Sequence, residues 1–208
     1  MCVGRIGGFF KKRFANEREC FGVDISPELI ANAKERFRRY NIDFSVGSVA
    51  DFKLPEKVDC ITLSSVLCYF DDPYPVLKHI LGYLKEDGLL IVTDMFNLWN
   101  VEVRTKYKLE DKPDWRTINQ FGLKNFMDKL KDMGYQCTVT DQIMPFDIAP
   151  KEHPIRSWTV NLNGTRHMMC GLHWVYNIQI VQVTKSKKLN QQNSQIFANR
   201  DHYVGVKW

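Results

Sequence analysis

The stretch "ECFGVDISPELIANAKERFRRY" (residues 19–40) decides the fold. Residues 20–23 are short and apolar, as in a buried strand. Ser26 is a good N-cap and Pro27 suits the first helical position. Leu29, Ile30, Ala33 and Phe37 then recur at helical spacing, so a helix is expected to run to about Tyr40. The strand passes to an amphipathic helix through three residues, Asp24 to Ser26. That is half of a strand–helix–strand unit.

The pattern repeats downstream. "IDFSVGS" (residues 42–48) reads as a second strand ending at Gly47, and residues 58–63 of "KVDCITLSSVL" as a third. Asp72-Pro73 is expected to cap a helix carrying Val76, Leu77, Ile80, Leu81 and Leu84. Asp87-Gly88 then turns it into the apolar strand "LLIVTD" (residues 89–94). Strand alternating with helix at this spacing predicts an α/β protein, a Rossmann-like doubly wound sheet covered on both faces, with right-handed crossovers. Later the pattern changes. "FGLKNFMDKLKDMGY" (residues 121–135) is an amphipathic helix ending near Gly134. "YQCTVTDQIM" (135–144) and "LHWVYNIQIVQVTK" (172–185) are strands expected to pair antiparallel at one sheet edge. Between them residues 144–172 have no clean period, and so long an insertion is usually functional or mobile.

The length of 208 residues suits one domain with an embellishment, and 44% hydrophobic residues suffice for a sizeable core. The net charge of +5 is spread out, with short basic clusters at residues 11–13, 36–39 and 185–188. These read as solvated helix faces and a tail, which do not demand nucleic-acid binding, and a small-molecule partner is expected ahead of nucleic acid. None of the six cysteines forms a CxxC pair and no Cys/His spacing suggests zinc, so no metal is expected. A reduced, cytoplasmic protein is expected, with no signal peptide and no apolar run long enough to span a membrane. Asn163-Gly164-Thr165 is a sequon that reads as a turn. After Thr184 the composition becomes polar in "KSKKLNQQNSQ", a linker, before "HYVGVKW" (residues 202–208) regains strand character.

In an open parallel sheet, ligands bind beyond the carboxyl ends of the strands. Asp24 closes the first readable strand, 20 residues after Gly4 and 17 after Gly7. A carboxylate there accepts hydrogen bonds from both hydroxyls of a ribose; the alternative is that it caps the Pro27 helix. In "GSVAD" (residues 47–51), the Ser48 hydroxyl and the Val49 N–H are placed to read an adenine edge, unless this is an ordinary turn. In "SSVLCYF" (residues 64–70), Ser64 and Ser65 sit beside the cleft. Val66 and Leu67 are placed to pack on the ligand, and Tyr69 is either a substrate contact or a core aromatic.

Together these stretches resemble the class I S-adenosylmethionine-dependent methyltransferases, from about Val3 to Thr184 and best over residues 21–94. "GVDISPELIANAKER" is similar to that family's second strand and helix, and "VDCITLSSVLCYFDDPYPVLKHILGYLKEDGLLIVTD" to its fourth strand, helix and fifth strand. The resemblance implies a seven-stranded sheet of order 3-2-1-4-5-7-6 with strand seven antiparallel. It implies S-adenosyl-L-methionine as cofactor, with Asp24 on the ribose, Ile25 on the adenine and Ser48 where an Asp often stands. Residues 1–184 would be the methyltransferase-like domain, 144–172 its substrate-side or lid insertion, and 185–208 a linker and tail. Substrate determinants in such a fold lie after strands four and five and in the late insertion. Here those regions carry Tyr69, Phe70, Phe96, Trp99, Trp115 and Trp158, which wall a small-molecule pocket or fill a core. His153, His167, His173 and Tyr69 are the candidate catalytic groups.

The family's first motif is a central buried strand leading into a glycine turn. In "MCVGRIGG" only Cys2 and Val3 stand for that strand, and Arg5 falls where a glycine is usual. Three readings follow: a fragment of a longer chain, "HYVGVKW" filling the gap, or a reshaped and impaired site. The function expected is methyl transfer to a small-molecule acceptor. The alternatives are an impaired binding or scaffold protein, and an aminopropyltransferase-like enzyme using Asp71 and Asp72.

Overall fold

The computed structural model describes residues 20–98, 101–142, 144–150, 156–170, 172, 175–176 and 178–185. Strand β1 (Cys20–Asp24) passes to helix α1 (Pro27–Arg36) and then to β2 (Ile42–Val46), which pairs parallel to β1. The Ser26 side chain accepts a hydrogen bond from Leu29 N at 3.2 Å and so caps α1 as expected. Ile30, Ala33 and Phe37 pack on Phe44. The helix ends at Arg36 rather than near Tyr40. Phe37 leaves the helical conformation but keeps its side chain buried. Apolar spacing records burial, and burial outlasts the helix by one residue.

The main sheet has the order β3-β4-β12-β8, from β3 (Val58–Ser64), β4 (Leu84–Asp94), β8 (Gln136–Gln142) and β12 (Ile178–Thr184). β3 and β4 are parallel, and β12 runs antiparallel to both β4 and β8. The late antiparallel pair at a sheet edge is as expected. Alternate residues Ile61 and Leu63, Leu90 and Val92, Val181 and Val183 belong to one core cluster. Helices α2 (Tyr74–Leu81) and α3 (Leu123–Asp132) bring Val76, Leu77, Ile80, Leu81, Phe126 and Leu130 to the same cluster. Each such side chain, taken from water, contributes about 1.5–3 kcal/mol.

Two local expectations fail here. Helix α2 stops at Leu81, and Leu84 opens β4 instead of lying on the helix. Asp87-Gly88 is not a turn into a strand but part of a bulge within one. Val58 pairs with Leu84 and Cys60 with Leu89, so two steps on β3 match five on β4. Gly88 is required there, because an added Cβ would stand 2.6 Å from Leu84 Cγ and 2.9 Å from Lys85 O.

One continuous seven-stranded sheet is not what the described residues form. The order β2-β1 and the order β3-β4-β12-β8 match the two sides of the expected 3-2-1-4-5-7-6, as two separate sheets. The place of strand one falls between β1 and β3, and among the described residues no strand pairs with either edge there. "HYVGVKW" lies outside the described residues. The two sheets meet through Val49, which belongs to the main core. His79 Nε2 also donates to Phe52 O at 2.7 Å, joining α2 to the segment after β2.

Two further small sheets were not drawn from the sequence, and the strand expected over residues 172–185 divides between one of them (Val175–Tyr176) and the main sheet (β12). One is β5-β7-β6, from β5 (Phe96–Asn97), β6 (Val103–Tyr107) and β7 (Arg116–Gly122). The other, β11-β10-β9, gives structure to the insertion that lacked a period: β9 (Trp158–Leu162), β10 (Thr165–Met169) and β11 (Val175–Tyr176). Asn163-Gly164 turns the β9–β10 hairpin with φ of 52° and 78°, a turn that Asn-Gly favours. The sequon is thus a turn, as expected.

Candidate functional site

The first strand end is tied to the second. Asp24 O accepts from Gly47 N at 3.0 Å, which brings the carboxyl ends of β1 and β2 together. Asp24 Oδ1 accepts from Ser26 N at 2.9 Å. The carboxylate therefore shapes the turn into α1, while the helix cap itself is Ser26. Beside it, Ile25 is 75% exposed, an apolar side chain held out at the strand end. Ser48 Oγ accepts from Ala50 N at 3.1 Å within its own turn. Val49 is buried, so this turn is anchored to the main core from below.

The third strand end is built differently. Ser64 is buried and Ser65 is exposed with φ of 50°, a left-handed conformation uncommon for a residue with a Cβ. Ser65 N donates to Thr93 O at 2.8 Å, which bends the chain over the end of β4. A short 3-10 turn follows (Leu67–Tyr69). Leu67 points into the core and not toward the cleft, contrary to expectation, whereas Tyr69 is 52% exposed. Of the other aromatics, Phe96 is core, its ring tilted against that of Phe126 at 4.7 Å between centroids, and Trp115 is exposed.

Sequence reading missed the polar groups that hold this turn. Asp94, at the end of β4, is buried. Its Oδ2 accepts from Leu67 N at 3.0 Å and Cys68 N at 3.3 Å, and its Oδ1 from Met95 N at 2.8 Å. Burial pushes its carboxyl up to about 6, and the backbone N–H groups pull the other way. Cys68 is pushed well above the ordinary thiol value, first by burial and then by the charge of Asp94. Asn119 on β7 is fully buried and donates through Nδ2 to Phe70 O at 2.9 Å. Gln179, opposite Asp94 on β12, accepts from Phe96 N at 3.2 Å. The one available signal was a carboxylate closing an apolar strand in "LLIVTD".

The elements after β3 and β4 converge. Cys68, Met95 and Ile118 form one buried cluster, with Tyr107 and Leu172 packed against it. The β5-β7-β6 sheet and the end of the late insertion thus meet the turn that carries Tyr69. His167 stands on β10 opposite Val160, in the β11-β10-β9 sheet. Gly4, Gly7, His153 and His173 lie outside the described residues. Among the described residues no His, Cys, Asp and Glu side chains gather in a group able to hold a metal ion. An open cleft of about 560 Å³ lined by Phe21, Phe44, Phe52 and Lys53 runs beside β1 and β2, away from Ser64 and Tyr69, and is not this site.

Comparison with known proteins shows what the arrangement is similar to. Residues 1–92 match the family described as a methyltransferase domain. A malonyl-[acyl-carrier protein] O-methyltransferase of Acetivibrio thermocellus is 24% identical over 86 residues, which is 41% of this chain and 30% of that protein. The chain therefore spans less than a third of the curated relative it matches. An S-adenosylmethionine-dependent methyltransferase from Clostridium acetobutylicum superimposes with a TM-score of 0.56 at 12% identity, over 88% of this chain and 81% of that one. The Burkholderia thailandensis 1,6-didemethyltoxoflavin-N1-methyltransferase, solved with 1,6-didemethyltoxoflavin and S-adenosylhomocysteine, gives 0.54 at 13% identity, over 88% and 67%. At these identities the structural likeness is one of fold. The chain thus has the fold of the S-adenosylmethionine-dependent methyltransferases, and its first 92 residues are similar to the methyltransferase-domain family.

Proposed function

We propose that this protein binds S-adenosylmethionine at the carboxyl ends of β1, β2 and β3 and transfers its methyl group to a small-molecule acceptor. The observation that carries the reading is the strand end at Asp24 and Ile25. A carboxylate stands beside an apolar side chain that is 75% exposed, the pair that a ribose and a flat base would cover. In this reading Asp24 holds the ribose hydroxyls. Ile25 and the Ser48-Val49 turn frame the adenine, Ser64 and Ser65 line the cleft, and Gly4 and Gly7 let the chain approach the ligand closely. S-adenosylmethionine, when bound, supplies a methyl group already activated on a sulfonium. The protein's own task is then alignment and exclusion of water. Tyr69, exposed on its turn, faces the acceptor side, and His153, His167 and His173 are the candidates for a base.

A small acceptor is supported by the convergence of β7, Tyr107 and Leu172 on the turn at Cys68. It is supported also by a structural neighbour that takes 1,6-didemethyltoxoflavin. No helix among the described residues is long and apolar enough to cross a membrane. A cytoplasmic setting belongs to the same proposal. So does the division into a catalytic unit of residues 1–184, with 144–172 on its substrate side, and a linker and tail from 185 to 208.

Calorimetric titration with S-adenosylmethionine and S-adenosylhomocysteine tests this. Asp24→Asn keeps an oxygen for Ser26 N and removes the charge. Hydrogen bonds to a charged group are worth about 1.5–3 kcal/mol, so affinity should fall about 10- to 150-fold. An unchanged affinity would remove Asp24 from the site. A folded protein that binds neither compound would favour the second reading, a methyltransferase-fold binding protein. That reading draws on the edges of β1 and β3, which pair on one side only among the described residues.

A further inference from the structure

The end of β3 and the segment after it carry three residues of the proposed site, Ser64, Ser65 and Tyr69, yet the backbone of that segment is held from elsewhere. The 3-10 turn that begins at Leu67 has no capping side chain of its own. The first N–H groups of such a turn lack local acceptors. Asp94 supplies them, taking Leu67 N and Cys68 N on one oxygen from 27 and 26 residues away. Its other oxygen fixes Met95 N, where the chain leaves β4. Asn119 holds the far end through Phe70 O, from 49 residues away. The result is a turn with Leu67 and Cys68 fastened inward and Tyr69 projecting outward.

A buried carboxylate is a costly way to fasten a turn. An apolar contact would fix the depth of the turn but not the direction of its N–H groups. Two N–H groups sharing one oxygen fix both. We propose that Asp94 is a positioning residue of the transfer site: from the end of β4 it caps the turn after β3 and so sets where Ser64, Ser65 and Tyr69 stand, with Asn119 clamping the other end. This rests on the methyl-transfer reading above. Among the described residues, few groups face Asp94 from its neighbours. The Cys68 thiol on the turn stays protonated, Gln179 on β12 is neutral and passes on to Asp141 at 3.2 Å, and β7 brings Ile118 to the cluster that holds Cys68 and Met95. Tyr107 of β6 packs against the same cluster.

The test titrates S-adenosylhomocysteine into the wild type, Asp94→Asn and Asp94→Ala between pH 5 and 8, after circular dichroism confirms folding. Wild-type affinity should weaken about threefold or more as pH falls through 6, because a protonated carboxyl grips the turn less firmly. Asp94→Asn should lack that step, and other titrating groups will act on both proteins alike. Asp94→Ala should lose about tenfold at pH 7.5. Amide hydrogen exchange supplies a readout free of ligand. Leu67 and Cys68 should lose protection at least tenfold more than Leu90 in Asp94→Ala. Parallel pH profiles for wild type and Asp94→Asn, or unchanged exchange at Leu67 and Cys68, would overturn the role. A wild type that binds no S-adenosylhomocysteine at all would instead overturn the methyl-transfer reading and, with it, the site role of Asp94.

Discussion

Asp94→Asn removes one titrating group from the protein interior at almost constant shape, and its effect on stability can be worked from the structure. Burial holds the Asp94 carboxyl at about 6, against an ordinary 3.8 in an unfolded chain. Between those values the folded protein keeps a proton that the unfolded chain has released. The raised value therefore gives stability that is fully present below pH 3.8 and is lost as pH rises through 6. The gap of about 2 units corresponds to about 3 kcal/mol at 1.36 kcal/mol per unit. Urea denaturation at intervals from pH 4 to pH 8, on both proteins, isolates this. Other carboxylates titrate in both proteins and cancel in the difference. With a urea slope of about 2 kcal/mol/M, the midpoint of the wild type relative to Asp94→Asn should fall by about 1.5 M across the range. A difference that stays flat to within about 0.3 M would show that Asp94 is ionised without penalty in the folded state, and the account of its burial would be wrong.

Two further outcomes follow from backbone geometry. Gly88→Ala places a Cβ 2.6 Å from Leu84 Cγ, 2.9 Å from Lys85 O and 3.2 Å from Asp59 O. Two of those atoms are backbone and cannot swing aside, so the bulge should lose about 1–3 kcal/mol, read as a lower urea midpoint with an unchanged slope. Ser65→Gly relieves a side chain held at φ of 50° and should raise the melting temperature by about 2–4 °C, for a gain of about 1 kcal/mol. The same change should weaken S-adenosylhomocysteine binding; a variant that gains stability and keeps full affinity would remove the Ser65 hydroxyl from the site.

Much of the central architecture was legible because its signals are local. Ser26-Pro27 announced α1, and apolar runs announced β3, β4 and β12. The antiparallel pairing of β8 with β12 followed from their places in the chain. Helix α2 was read too long because Leu84, four residues after Ile80, continues the apolar spacing although it already belongs to a strand. The β5-β7-β6 sheet was missed although Val103, Thr105 and Tyr107 alternate with the exposed Arg104 and Lys106, because so polar a strand carries little apolar contrast. Asn163-Gly164 was read as a turn, but the hairpin around it was not drawn. The candidate site divides in the same way. Asp24 and Ser65 lie at strand ends that can be counted along the chain. Asp94 was visible as a strand end, but its partners Leu67 and Cys68 lie 27 and 26 residues upstream. Asn119 reaches across 49 residues. No local pattern encodes such a contact.

The division of the described strands into two sheets has a consequence for how ligand binding and folding are linked. β1, β2 and α1 have a small core of their own, Ile30, Ala33, Phe37 and Phe44 with Ile42, and they join the larger body through Val49 and the His79–Phe52 bond. Among the described residues β1 pairs only with β2, and a two-stranded unit of this size opens at a lower free energy than the sheet beside it, in a partial unfolding that leaves the main core intact. Asp24 belongs to that small unit. A compound that holds Asp24 binds only its closed form, so it draws the unit shut by RT ln(1 + [L]/Kd). Ligand should thus slow exchange at Val23 and Phe44 far more than at Leu90 or Val181, and the protein's melting should become less uniform as ligand is withdrawn.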